Sequence, residues 1–150
     1  MLDQNFLNVL NIVYSNFEGP NIDWFLFGST NLALKGMEVV PSDLDICIKM
    51  CDLEIALAIF SDYSRSDVWE LKNREALAFE VIINDVKVHI CADYECGFYY
   101  KIAFLGDNIE FIKVGDYTIP SLKLQAEIEG YKHLGRNKKA AAIKEFIKRA

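Results

Sequence analysis

The chain has 150 residues, of which 52% are hydrophobic and 25% charged, and its formal net charge is −6. This length suits one domain, which usually takes about 100–200 residues. The balance of residue types excludes a disordered, collagen-like or coiled-coil chain. No apolar run reaches the roughly 18 residues that suggest a membrane span, so no membrane association is expected. The first residues, MLDQNFLNVLN, carry an acid and no basic stretch, unlike a signal peptide, and a cytoplasmic location is expected.

A net negative charge disfavours a protein that coats nucleic acid, but the charge is unevenly spread. Residues 121–150 hold eight Lys/Arg and three Glu, or +5, whereas residues 1–120 hold eight Lys/Arg and nineteen Asp/Glu, or −11. The basic end reads either as a solvated helical face or as a basic wall opposite an acidic site. Cys47, Cys51, Cys91 and Cys96 lack the paired CxxC spacing of zinc ribbons and read as reduced thiols.

In chain order, residues 3–17 place Phe6, Leu10, Val13, Tyr14 and Phe17 at helical spacing, and Gly19-Pro20 ends that helix. Trp24 to Phe27 suits a buried strand, followed by a turn at Gly28-Ser29-Thr30 and a short helix from Asn31 to Lys35. A second strand is expected over Asp43 to Ile48, then a helix capped by Asp52 and running through Leu53, Leu57 and Phe60. Val68 to Lys72, Leu77 to Ile83 and Val86 to Cys91 read as strands, the last two joined at Asn84-Asp85. Tyr99 to Leu105 and Ile109 to Val114 read as a second hairpin across Gly106-Asp107. Pro120-Ser121 opens a helical end, with one helix over Leu122 to Leu134, a stop at Gly135, and a second over Lys138 to Arg149. The fold class is therefore α+β: an α/β sandwich with a small mixed, mostly antiparallel sheet. It is read as a single domain over 1–150, with a core of about 1–120 and a C-terminal helical pair over about 121–150.

The informative stretch is 26–48, LFGSTNLALKGMEVVPSDLDICI. Gly28-Ser29 lies where a strand gives way to a helix, and Gly allows close approach to the backbone. Asp43 and Asp45, two apart on a strand, point to one face, and Leu44, Ile46 and Ile48 point to the other. Two adjacent carboxylates repel unless a cation lies between them, and Mg²⁺ shared with substrate phosphates is a common solution.

An apolar strand, Gly-Ser, a thirteen-residue spacer and then Asp-Leu-Asp-Ile resembles the signature of the nucleotidyltransferase superfamily, the fold of polymerase-β-like enzymes. The tail looks like that of small stand-alone prokaryotic relatives, in which a strand ending in Ile-Pro precedes a helix ending in Y-x-x-L-G-R. Those positions here are Ile119, Pro120, Tyr131, Leu134, Gly135 and Arg136. The resemblance implies transfer of a nucleoside monophosphate from an NTP to an acceptor hydroxyl, the acceptor being a small molecule, RNA or protein. It implies Asp43 and Asp45 as ligands of Mg²⁺, or alternatively Mn²⁺, with Gly28 and Ser29 at the phosphates.

A third carboxylate is expected in the middle of the strand over Val86 to Cys91, but the residue there is His89. If Asn84-Asp85 is a two-residue turn, Glu80 lies opposite His89 and can supply the missing charge, or can simply pair with it. Lys132 and Arg136, spaced i and i+4, read as one basic helix face reaching for phosphate. Tyr131 reads as a stacking residue and Lys123 as a further phosphate candidate. Lys144, Lys148 and Arg149 read as solvated. Two functions follow: a Mg²⁺-dependent nucleotidyltransferase, or a catalytically degenerate member that binds nucleotide or a protein partner, as in toxin–antitoxin pairs. His89 is what separates them.

Overall fold

In the computed structural model, which describes residues 2–72 and 75–150, helix α1 (Gln4–Glu18) begins at Asp3, whose carboxylate accepts the Phe6 amide at 3.0 Å. Val9, Leu10, Val13 and Phe17 recur at helical spacing, and all four are buried. Strand β1 (Trp24–Phe27) leads directly into α2 (Gly28–Leu34). After β2 (Asp43–Lys49) come α3 (Leu53–Ile59), β3 (Ser64–Arg65), β4 (Trp69–Leu71), β5 (Ala76–Ile83) and β6 (Val86–Asp93). A π-helical turn, Tyr100–Phe104, precedes β7 (Ile109–Val114), β8 (Tyr117–Leu122), α4 (Leu124–His133) and α5 (Asn137–Arg149).

The strands form one mixed sheet in the order β3-β5-β6-β2-β1-β8-β7, with β4 also paired to β5. β2 with β6 and β1 with β8 are parallel, and the other pairs are antiparallel. Alternation divides the sheet chemically. Leu44, Ile46 and Ile48 of β2 and Val88 and Ile90 of β6 join α1 in the main core. The opposite face carries Phe25, Phe27, Cys47 and Cys91, packed under Tyr99, Ala103 and Ala126. Asp43 and Asp45 share this second face with Cys47 by strand parity. A third cluster, Leu32, Ile128, Tyr131, Ala140 and Ile143, joins α2 to α4 and α5.

The α+β class, the mixed sheet and the C-terminal helical pair match the expectation, as does the 84–85 turn. Asn84 and Asp85 both have left-handed φ, 49° and 65°, as a tight hairpin requires. Three local expectations are corrected. Tyr99 to Leu105 is not a strand: Tyr99 and Ala103, four residues apart, both bury against the sheet, and that spacing is helical. β7 pairs instead with β8, turning at Gly115, so Pro120 lies inside a strand and the next helix starts only at Leu124. Pro120 faces Phe111, and the β1–β8 ladder is a single register pair, Leu26 with Ser121, so few amide donors are needed there. Finally, α2 starts at Gly28 itself, not after a three-residue turn.

Gly130 lets α4 pack against Tyr99, since a Cβ there would collide with the Tyr99 hydroxyl. Gly130→Ala should lower unfolding free energy by about 1–3 kcal/mol, the usual cost of overpacking. Urea denaturation measures this, and an unchanged midpoint would contradict the close packing.

Candidate functional site

The site begins with the junction of β1 and α2. Phe27 is in register with Asp45 across the antiparallel β1–β2 pair. Gly28 follows with φ of +79°, and a Cβ on it would lie 2.5 Å from Asp45 Oδ2. Any other residue would meet both backbone strain and a clash, so Gly is required by two separate constraints. The Thr30 hydroxyl donates to the Asp43 carbonyl at 2.7 Å, tying the first turn of α2 to the start of β2. Asp43 is half-buried, and burial together with the neighbouring Asp45 raises its pKa. This is the electrostatic signature of two carboxylates sharing a face.

The neighbouring strand supplies a cation. β6 runs parallel to β2 with His89 beside Asp45, and the His89 Nδ1 to Asp45 Oδ1 distance is 3.3 Å. Glu80 lies directly opposite His89 on β5, so Asp45, His89 and Glu80 form a row across three strands. The Trp69 ring flanks the imidazole, with centroids 5.2 Å apart, and Cys91 Sγ is 3.6 Å from Nδ1. Burial works against the imidazolium, but hydrogen bonding to Asp45 and then to Cys91 overcomes it and pushes the pKa up to about 10. His89 is therefore a cation at neutral pH, in the position where the resemblance implies an acid.

Asp45 and His89 line a cavity of about 230 Å³ together with Phe27, Gly28, Leu71, Tyr99, Tyr131, Leu134 and Arg136, and Asp43 lies outside that lining. A larger concavity, about 470 Å³, opens at the Trp24 and Lys49 ends of β1 and β2 and contains none of the candidate residues. The smaller cavity is the better candidate because charge and strained backbone converge there.

Of the residues singled out from sequence, the cavity gathers Gly28, Asp45, His89, Tyr131 and Arg136. Ser29 lies beside Gly28 in the first turn of α2, and Glu80 stands behind His89. Lys132 and Arg136 do not share a helix face. α4 ends at His133, Gly135 takes φ of +74°, and the Arg136 amide bonds back to the Tyr131 carbonyl at 2.8 Å. This Schellman turn swings Arg136 over the Tyr131 ring, 5.5 Å from its centroid, with Lys139 at 6.0 Å. Lys132 is outside the cavity lining and pairs with Glu129 at 3.8 Å. Lys123 turns to Asp107, whose carbonyl it meets at 3.0 Å.

One important residue was missed. Glu127 on α4 is almost fully buried, and its Oε2 accepts the Gly28 amide at 2.8 Å and Asn31 Nδ2 at 2.7 Å. Burial outweighs those hydrogen bonds and raises its pKa to about 8. The available signal was position: Leu124, Glu127, Ile128 and Tyr131 fall at i, i+3, i+4 and i+7, so Glu127 occupies the apolar stripe of its helix.

Asp43 and Asp45 offer hard oxygen donors on one face, which fits Mg²⁺ or Mn²⁺ bridged to substrate phosphates. Among the described residues no group of three His, Cys, Asp or Glu is arranged to hold a metal.

The row of charges predicts a pH response. A folded-state pKa raised from 6.5 to about 10 contributes stability that is fully present below 6.5 and is lost as pH rises toward 10. Nuclear magnetic resonance of the imidazole should find His89 still protonated at pH 8. In Asp45→Asn its pKa should fall by about 2 units or more, because burial is then poorly opposed. Titration of His89 near 6.5 in wild type would contradict the ion pair.

No protein-family model and no curated protein sequence matches the chain. Solved structures do. A candidate nucleotidyltransferase from Thermotoga maritima, TM1012, aligns at 26% identity over 100% of this chain and 97% of its own, with a TM-score of 0.76. The antibiotic-resistance factor ANT(2'')-Ia aligns at 14% identity over 94% of this chain and 85% of its own, with a TM-score of 0.65. The lincosamide antibiotic adenylyltransferase LnuA, bound to lincomycin, aligns at 14% identity over 95% of this chain and 98% of its own, with a TM-score of 0.59. With its mixed sheet, its Gly28 junction and its paired aspartates on the strand beside it, the chain is a nucleotidyltransferase-fold protein.

Proposed function

We propose that the chain is a Mg²⁺-dependent nucleotidyltransferase that moves a nucleoside monophosphate from an NTP to an acceptor hydroxyl. The observation that carries this reading is the contact of Gly28 with Asp45 inside a cavity that also holds Arg136, with Asp43 two residues along the same strand face. Its fold neighbours support it: ANT(2'')-Ia has been captured with adenylyl-2''-tobramycin, and LnuA is an adenylyltransferase.

In this reading Asp43 and Asp45 would hold the metal ion, and the ion would offset the negative charge of the triphosphate. Gly28 and Ser29 bring backbone close to the phosphates. Arg136 donates to phosphate oxygens, and the planar Tyr131 ring beside it offers a face for a base or ribose. Arg136→Ala should weaken NTP binding about tenfold or more, the scale of a lost charge-assisted hydrogen bond. Arg149→Ala, which alters only an exposed pair with Glu145, should leave it within about twofold. Calorimetry with ATP and Mg²⁺ measures both, and equal affinities would contradict the role of Arg136.

A second reading is favoured by one observation. His89 puts a positive charge against Asp45 where a third metal-binding carboxylate is implied. In that reading the domain binds nucleotide, or a protein partner, with little transfer. Labelled NTPs with Mg²⁺ or Mn²⁺ and a cell extract separate the two, with pyrophosphate release as the readout. Wild type should label an acceptor and Asp45→Asn should not. If wild type is inert and His89→Asp gains both Mg²⁺ affinity and transfer, the degenerate reading holds.

A further inference from the structure

Glu127 is a buried acid with no place in the reaction just described. Its contact with Gly28 joins positions 99 residues apart. α2 has no side-chain cap of its own, since Phe27 occupies the capping position. The carboxyl from α4 fills that role, and Asn31, one turn along α2, adds a second bond to the same oxygen and another to the Leu122 carbonyl at 2.9 Å. On its other side Gly28 touches Asp45. Gly28 is thus held between the carboxyl of α4 and the carboxylate of β2.

We propose that Glu127 is a positioning residue of the nucleotide site: through Oε2 it fixes the Gly28 amide and so sets where Gly28 and Ser29 lie relative to Asp43 and Asp45. This rests on the nucleotide reading given above.

Two features favour a role in the site over one in stability. First, the layer between α2 and α4 buries more polar atoms than capping Gly28 needs. Among the described residues, Glu127 Oε1, Asn31 Oδ1 and Ser121 Oγ are all buried without a hydrogen-bond partner, and each such atom carries a desolvation cost. Capping Gly28 uses Oε2 alone, and Oε1 is an added burden that the cap does not require. Second, burial keeps the proton on Glu127 near neutral pH. A neutral carboxyl still accepts from two N–H groups through one oxygen, yet sets no negative charge behind a turn that meets phosphates.

The test uses Glu127→Leu, Glu127→Gln and, as a control on an exposed helix face, Glu145→Gln. Leu keeps the packing and removes the acceptor, whereas Gln keeps a neutral acceptor. Three quantities are measured: the melting temperature, hydrogen exchange of the Gly28 amide, and affinity for ATP with Mg²⁺. Glu127→Leu should exchange Gly28 at least about tenfold faster and bind ATP about tenfold more weakly, both read well below its melting temperature, which falls because the buried Gly28 amide loses its acceptor. Glu127→Gln should bring exchange and affinity back to within about threefold of wild type, and Glu145→Gln should change neither. If Glu127→Leu loses Gly28 protection but keeps its ATP affinity, Glu127 serves the backbone alone and the proposal is overturned. If Glu127→Gln behaves like Glu127→Leu, the neutral-acceptor role is overturned. A wild type that binds no ATP removes the nucleotide reading itself, a result distinct from either.

Discussion

Gly28 has no side chain, and the rest of the site depends on what occupies that space. Asp45 Oδ2 lies where a Cβ would be, the backbone takes a left-handed φ of +79°, and the amide points at a carboxyl from a helix almost a hundred residues later. A strand end, a helix start, the neighbouring strand and the C-terminal helical pair therefore meet at one residue. The sheet order follows the same demand. β1 and β2 must be adjacent for Phe27 to face Asp45, and β8 must lie on the other side of β1 for α4, which follows it, to reach Gly28.

Charge is arranged around this point by strand register. On β2, β6 and β5 the residues in line are Asp45, His89 and Glu80, alternating in sign across neighbouring strands. Alternation relieves the repulsion that three acids in a row would suffer, and it makes the row stable with no metal bound. The same feature sets a competition, because a cation that approaches Asp45 must share it with an imidazolium already 3.3 Å away. Three acids would depend on a cation for their stability, whereas this row has an internal counter-ion.

Local patterns were legible where one force dominated. The alternation of Leu44, Ile46 and Ile48 with Asp43 and Asp45 assigns the two faces of β2, and Asn84-Asp85 sets the hairpin register that brings Glu80 opposite His89. Tyr99 to Leu105 was misread because its aromatic and β-branched residues favour strands, yet packing against Phe25 and Phe27 rewards a helical spacing. Lys132 and Arg136 looked like one face because spacing along a helix says nothing of where the helix stops. Gly135, read only as a stop, also redirects the chain. Glu127 was legible as a position and not as a role. Its place in an apolar stripe implies burial, but its partner is set by the tertiary fold.

The uneven charge of the chain has a consequence at the cavity. Residues 1–120 carry −11 and the last thirty residues +5, and in the latter Arg136 and Lys139 gather over the Tyr131 ring. An anion entering the cavity meets Arg136 on one wall and Asp45, paired with His89, on another, so it would bind best in an orientation that keeps its negative groups away from Asp45 or brings a cation to it. Orientation is thus imposed by the walls before any specific hydrogen bond forms. The Glu127 carboxyl completes this arrangement from behind. Left ionised, it would add a negative charge directly beneath Gly28. Held neutral by burial, it lets the backbone at that junction face an anion without opposition. In the nucleotide reading proposed above, the rim would favour a negatively charged group and the floor one that carries a cation, and the protonated state of one buried acid would keep the two compatible.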